Sequence, residues 1–273
     1  MWDKTMNLNL TGATRLNIIV GDPIVQVKAP GGMTKAFADI GHDGILVPVQ
    51  VDPRDLGALL TVADSLKNLD GIIVTVPHKF ACFTHCGSVS ERAGFLGAVN
   101  IMRRREDGGW HGDMIDGLGF VGAVRGKNYD PHGKRALLVG AGGAGSAIAM
   151  ALVEAGVSEL AVHDADASRR DRLVARLKTL HRSDIIIGSS DPEGYDLVAN
   201  ATPAGMKADD PLPVDVMKLA PTTFVGCVIT APAASPLIEA ARRLGCPTST
   251  GTDMYNALQS SMVDFLLAPK VRA

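Results

Sequence analysis

The sequence predicts an α/β protein built from two domains, and three features predict it. The chain has 273 residues, too many for one small core and comfortable for two domains. From residue 16 to 76, and again from 135 to 229, short β-rich runs alternate with helix-forming stretches, the rhythm of parallel strands joined by crossover helices. Between the two series lies Lys127-Asn128-Tyr129-Asp130-Pro131-His132-Gly133, a turn-rich stretch of the kind that separates domains.

In the first series the runs are residues 16–20, 35–40, 45–49, 56–66 and 71–76, taken alternately as strand and helix. Pro23, Pro30, Pro53 and Pro77 punctuate their ends, where a fixed φ and a missing donor are tolerated, so ligand-facing loops are expected there. The second series opens with a strand at 135–139, then a glycine-rich turn, a helix at 146–155 stopped by Gly156, and a strand at 159–163. Further strands are expected at 185–187, 197–199 and 224–229, and a helix at 253–267 that returns to the first domain. The domain bounds that follow are 1–116 with 252–273, and 117–251.

With 46% hydrophobic and 21% charged residues the chain can bury a substantial core, and it lacks the composition of a disordered protein. A net charge of −2, with basic residues scattered apart from Arg103-Arg104-Arg105, gives no footprint for nucleic acid. No apolar run approaches the ~20 residues that span a bilayer, so no membrane partner is expected. Four cysteines without a dense framework or secretory leader point to the cytoplasm. Cys82 and Cys86 are near neighbours, but structural zinc needs a second pair; they are read as thiols and no metal is expected.

Gly140, Gly142 and Gly145 form a Gly-x-Gly-x-x-Gly pattern directly between a strand and a helix. There the first glycine permits the tight turn, the second lets the backbone approach a pyrophosphate, and the third lets helix and strand pack closely. Gly143 and Ala144 within the turn are further cofactor-binding candidates, and the N-terminus of the helix that follows offers free amide donors to phosphate. This is a Rossmann-type fingerprint. About twenty residues on, Asp164 stands where an acidic side chain accepts from the adenosine ribose hydroxyls. A carboxylate at that place, followed by Asp166, repels a 2′-phosphate and favours NAD over NADP; Arg169 and Arg170 nearby keep NADP possible. The competing reading of Asp164 is a helix cap.

The first half carries Gly71-Ile72-Ile73-Val74-Thr75-Val76-Pro77-His78-Lys79, then Gly97-Ala98-Val99-Asn100 and Gly112-Asp113-Met114-Ile115-Asp116-Gly117. Together with Asn200-Ala201-Thr202-Pro203-Ala204-Gly205-Met206 and Pro232-Ala233-Ala234-Ser235-Pro236-Leu237, these resemble the shikimate/quinate dehydrogenase family in order over nearly the whole chain. The resemblance implies an N-terminal α/β substrate domain, a Rossmann-type dinucleotide-binding domain and a catalytic pair of Lys79 and Asp116. It implies substrate contacts from Thr75 and Asn100, and cofactor contacts from Asn200, Thr202 and Pro203. The chemistry agrees: moving a hydride to or from a secondary alcohol needs a group that takes or gives the hydroxyl proton. A solvated lysine after a turn and a helix cap are the competing readings of Lys79 and Asp116.

The departures gather at one place. Where the family has two serines that bond the substrate carboxylate, this chain has Val27 and Ala29. Each lost donor to a charged partner is normally worth about 1.5–3 kcal/mol, so shikimate is expected to bind poorly by that route. Gln26 or Lys28 could supply another donor, with Lys28 expected in an extended segment. Ile73 and Met114 replace asparagines, Ile101 and Ile115 replace threonines, and Thr230 replaces a tyrosine. The glutamine of the family's last motif falls one residue late, at Gln259, the remaining substrate-contact candidate.

The expected function is thus an NAD(P)-dependent dehydrogenase of the shikimate/quinate type with a remodelled carboxylate pocket. It would work on a small-molecule substrate as a monomer or homodimer. A catalytically silent dinucleotide-binding or ligand-sensing protein on the same fold is the alternative, disfavoured by the retained Lys79, Asn100 and Asp116. A folate-type methylene dehydrogenase is a third reading, and the Val-Asn and Asp-Gly motifs stand against it.

Overall fold

The computed structural model describes residues 10–207 and 209–271. The chain divides into two compact units, Met1–Ile115 with Gln259–Ala273, and Asp116–Leu258.

The first unit runs β1 (Arg15–Gly21), α1 (Ala29–Asp39), β2 (Gly44–Gln50), α2 (Leu56–Ser65), β3 (Leu69–Val74), α3 (Lys79–His85), β4 (Ser88–Val89), α4 (Glu91–Leu96), β5 (Ile101–Arg104) and β6 (Trp110–Asp113). Its sheet has the order β2-β1-β3-β5-β6-β4. Strands β2, β1 and β3 are parallel, as their alternation with helices dictates. Strand β5 is antiparallel to both β3 and β6, so the sheet is mixed and not the purely parallel one expected. The cause is a hairpin. Gly108, at φ +86°, turns the chain between β5 and β6.

The basic run at 103–105 hid that hairpin. Arg104 is buried: its guanidinium lies 4.1 Å over the Trp110 ring and donates to the carbonyls of Leu69 (3.0 Å), Leu66 (3.0 Å), Gly108 (2.6 Å) and Ala63. A planar cation that satisfies loop carbonyls and stacks on an indole belongs to the core, not to a solvated face.

Helix α1 begins at Ala29, six residues before the expected start at 35, because Pro30 sits in its first turn, where a missing amide donor costs nothing. Lys28, expected in an extended segment, is the helix N-cap with helical dihedrals, φ −97° and ψ −20°.

The second unit runs α5 (Asp116–Gly126), β7 (Arg135–Val139), α6 (Gly143–Glu154), β8 (Glu159–His163), α7 (Ala167–Lys178), β9 (Asp184–Ile187), β10 (Leu197–Asn200), β11 (Phe224–Cys227), α8 (Pro236–Arg243), β12 (Thr248–Ser249) and α9 (Gly251–Leu267). Its sheet, β12-β11-β10-β7-β8-β9, is parallel throughout. Read from the other edge, this is the doubly wound order 3-2-1-4-5-6, with the switch point between β7 and β10. Leu137, Val139, Val198 and Val225 lie in one buried cluster with Leu237, Ile238 and Ala241 of α8. Strands covered on both faces read as continuous apolar runs, which is why they were visible in the sequence.

The C-terminal helix α9 is longer at its start than expected, and its part from Gln259 onward belongs to the first unit. There Arg103 donates to the Phe265 carbonyl (3.3 Å) and lies 5.0 Å over its ring.

Candidate active site

In the first unit, backbone hydrogen bonds draw the ends of the strands and their loops together. Thr75 N donates to Val20 O (2.9 Å), Asp22 N to Val76 O (2.9 Å) and Val51 N to Gly21 O (3.2 Å). A Cβ on Gly21 would lie 2.3 Å from Thr75 Cγ2, so glycine there lets the β1 loop lie against Thr75. His78, between Pro77 and Lys79, is buried with Nε2 2.8 Å from Val51 O, tying the start of α3 to the β2 loop, a role that no motif announces.

Lys79 is the first residue of α3 and only 7% exposed, so it is not the solvated surface lysine of the competing reading. Its carbonyl accepts from Val99 N (3.0 Å), and the next residue, Asn100, is held between strands: Val74 N donates to Asn100 O (2.7 Å), and Asn100 N to Asp113 O (2.9 Å). Asn100 Oδ1 accepts from Ile115 N (2.8 Å), which fixes the orientation of the carboxamide. Thr75, Lys79 and Asn100 thus come together at the carboxyl ends of β1 and β3, where ligands bind in α/β sheets.

A support that the sequence did not reveal lies behind them. Asp113 is buried and receives both Nε and Nη2 of Arg92 (2.8 Å each) as well as Ser90 Oγ. Burial pushes its carboxyl upward, but the bonds from Arg92 and Ser90 outweigh this and hold it below the usual carboxylate range.

Val27 closes the turn before α1, with N donating to Ile24 O (3.2 Å), and Ala29 is buried as the first helical residue. Gln26 Nε2 donates to Pro23 O (2.8 Å). Gln259 Nε2 donates to Gly32 O (2.7 Å), so its amide nitrogen ties α9 to α1. Ile73, Ile101, Met114 and Ile115, the apolar replacements, are all buried. Asp116 opens α5 in the second unit and is buried too; a Cβ on Gly117 would lie 2.2 Å from Ala147 O, so the backbone of α5 closely approaches the backbone of α6 there.

The glycine-rich turn of the second unit fits a pyrophosphate. Gly140 has φ +104°, and a Cβ on it would meet the Ala201 carbonyl carbon at 2.8 Å. A Cβ on Gly145 would fall 1.8 Å from Gly140 O, so only glycine allows the helix to start there. Gly142 is the N-cap of α6 without a capping side chain, and a Cβ on it would have no neighbour within 4 Å. Helix α6 begins at Gly143, earlier than expected, which puts Gly143, Ala144 and Gly145 in its first turn with their amides at the N-terminus. Amide donors in that position can hold an anionic group.

Asp164 follows β8 and does not cap α7; the cap is Asp166, whose carboxylate accepts from Arg169 N (3.1 Å). Asp164 instead accepts from Ala141 N (2.6 Å) with Oδ2, and from Asp166 N (2.8 Å) and Arg169 Nη2 (3.1 Å) with Oδ1. Asn200 is fully buried, and its Oδ1 accepts from Thr202 N (3.0 Å) and Oγ1 (2.7 Å), while Pro203 is exposed. Asn200 thereby shapes the Thr202–Pro203 turn. Cys82 and Cys86 are thiols, each pushed up to about 12 by burial, with Cys86 Sγ donating to Cys82 O (3.4 Å).

Residues 19–102 match the shikimate dehydrogenase substrate binding domain. A shikimate dehydrogenase (NADP(+)) of Rhodospirillum rubrum is 34% identical over 253 residues, 90% of this chain and 89% of that protein. The chain belongs to the shikimate dehydrogenase family. Membership makes it a dehydrogenase acting on a CH–OH group. Among solved structures, the quinate dehydrogenase from Corynebacterium glutamicum in complex with NAD is 29% identical, with a TM-score of 0.83 over 94% of this chain and 95% of that one. The ligand-free 5-ketofructose reductase of Gluconobacter sp. strain CHM43 is 27% identical, with a TM-score of 0.80 over 94% of each chain. The shikimate dehydrogenase fold, a substrate domain followed by a Rossmann-type domain, is therefore the fold of this chain.

Proposed function

We propose that this family member transfers a hydride between a nicotinamide dinucleotide and a ring hydroxyl of a shikimate- or quinate-related small molecule, with its carboxylate grip weakened. The first unit holds the substrate and the second holds the dinucleotide. The observation that carries this reading is the assembly of Thr75, buried Lys79 and oriented Asn100 in a unit matching the family's substrate domain. A protein that only bound dinucleotide would have no use for it.

The bound nicotinamide supplies the hydride acceptor or donor. Lys79 moves the hydroxyl proton at Nζ, and Asp116 shares that work. Asn100, its oxygen turned to the Ile115 amide, directs its nitrogen end to a substrate hydroxyl oxygen, and Thr75 Oγ1 adds a second polar contact. The amides of Gly143 and Ala144 would hold the pyrophosphate of the dinucleotide, Gly142 would leave it room, and the Thr202–Pro203 turn would add cofactor contacts.

The substrate end opposite the reacting hydroxyl meets Val27 and Ala29, two apolar side chains. An uncharged or weakly held group suits that surface better than a carboxylate that needs donors. The 5-ketofructose reductase among the structural neighbours is named for a ketose, a polyhydroxy compound without a carboxylate.

NAD is the preferred cofactor in this reading and NADP the second. The R. rubrum relative carries NADP(+) in its name, so the preference rests on this chain's own loop. Asp164 and Asp166 place two carboxylates after β8, Arg169 is paired with Asp164 (3.1 Å), and Arg170 with Asp171 (2.8 Å). A 2′-phosphate would have to break those pairs and face both acids. Four free cysteines suit a reducing cytoplasm, and a monomer or homodimer suffices, since each chain holds a complete set of these residues.

The test is a panel of shikimate, quinate, uncharged cyclic alcohols and ketoses with each cofactor, followed by nicotinamide absorbance. Turnover of an uncharged or hydroxyl-rich ring compound with NAD is expected. Dinucleotide binding without turnover of any member would favour the silent binding protein instead.

A further inference from the structure

Cys227 and Asn200 end the adjacent parallel strands β11 and β10 and stand opposite each other in register. Both are buried, Cys227 at 1% exposure and Asn200 at 0%. We propose that Cys227 is a positioning residue for the dinucleotide, its sulfur anchoring the carboxamide that shapes the turn beside the glycine loop. The proposal rests on the reading that the second unit binds a nicotinamide dinucleotide.

The sulfur takes two hydrogen bonds, from Asn200 Nδ2 (3.3 Å) and from Ser235 Oγ (3.3 Å). Thioether and thiol sulfur are weak acceptors, but a fully buried amide N–H without any acceptor is worse off. With its nitrogen directed to Cys227, the Asn200 carboxamide must present its oxygen to Thr202, where it accepts from both the backbone N and Oγ1 (3.0 and 2.7 Å). Thr202 Oγ1 in turn accepts from Ala204 N (3.2 Å), which closes the turn.

This turn is the wall of the phosphate loop. A Cβ on Gly140 would lie 2.8 Å from the Ala201 carbonyl carbon and 2.9 Å from Thr202 Cγ2. A shift of a few tenths of an ångström at Thr202 therefore reaches the first glycine of the cradle. On the other side, Ser235 Oγ also accepts from Ile238 N and caps α8. One sulfur atom thus ties the cap of α8 to the turn after β10, and the hydrogen bonds fix which way Asn200 points.

A sulfur that merely fills space and a sulfur that accepts hydrogen bonds predict different outcomes for two variants. Cys227→Ala and Cys227→Ser both lose the volume of the sulfur, but only the serine keeps an acceptor. Dissociation constants for NADH and NADPH, read from nicotinamide fluorescence on the full chain, should rise about tenfold in Cys227→Ala. They should stay near the wild-type values in Cys227→Ser, while the substrate KM at saturating dinucleotide changes little in either. Equal affinity of the alanine and serine variants would overturn the proposal. Cys227→Val also lacks the acceptor while filling the space, and wild-type affinity in that variant would overturn the proposal as well. A wild-type chain that bound neither dinucleotide would instead sink the reading on which the proposal rests.

Discussion

Asp164 Oδ2 accepts a 2.6 Å hydrogen bond from the backbone N–H of Ala141, so the acidic residue after β8 braces the glycine loop that follows β7. The same carboxylate is the ribose acceptor of the proposed site, which gives it two duties. A substitution there must separate them.

Replacing Asp164 with Ser and Ala165 with Arg should shift preference toward NADP. The serine keeps a short acceptor for the loop, the lost carboxylate removes repulsion, and the new guanidinium offers a phosphate partner. Titration with NAD and NADP should show the ratio of their dissociation constants reversing. A ratio equal to that of the unaltered chain would mean that Asp164 serves the loop alone.

Lys79→Ala should lower turnover by roughly 10²–10⁴, the range of a lost proton-transfer group. Dinucleotide affinity should stay where it was, because Lys79 belongs to the first unit and the cradle to the second. Turnover like that of the wild type in the alanine variant would remove Lys79 from the mechanism.

Val27→Ser with Ala29→Ser should lower the KM for shikimate more than it changes turnover, since restored hydrogen bonds act in ground and transition states alike. Together the two donors could add about 1–3 kcal/mol of binding. Ala29 is the first residue of α1, a position where serine does not disturb the helix. The comparison that decides is between shikimate and an uncharged ring alcohol. Equal improvement for both, or for neither, would show that this loop does not meet the carboxylate.

Asp113 should make stability depend on acid. Its carboxyl is depressed in the folded state, so its contribution is complete above the unfolded value near 4 and is lost as pH falls through the lower folded value. Chemical denaturation of the wild type should therefore show stability falling steadily below about pH 4. Asp113→Asn should be less stable at neutral pH, with a shallower acid slope. An unchanged slope would mean that the Arg92 and Ser90 bonds carry no net stability.

How far the sequence could be read depended on the range of the forces involved. The glycines at 140, 142 and 145 were legible because their requirement is local: a positive φ at Gly140, an open face at Gly142 and a 1.8 Å clash at Gly145 each exclude a side chain within one turn. The doubly buried strands β7 and β10 were legible as apolar runs, and Thr75, Lys79 and Asn100 through ordered motifs. The mixed sheet of the first unit was not, because a hairpin carrying Arg103, Arg104 and Arg105 looks solvent-facing until Trp110 and the carbonyls of Leu66 and Leu69 are brought around Arg104.

What the sequence by itself determined, then, was the α/β class and the Rossmann-type glycine turn, since dihedral preference and hydrophobic period act over a few residues. Only the tertiary structure decided that Asp113 is clamped by Arg92, that Asp166 rather than Asp164 caps α7, and that Asn200 answers to Cys227. The last pair is separated by 27 residues and meets through the register of two parallel strands. Register is chosen by the packing of the whole sheet, so no local pattern at Asn200 or at Cys227 announces the partner.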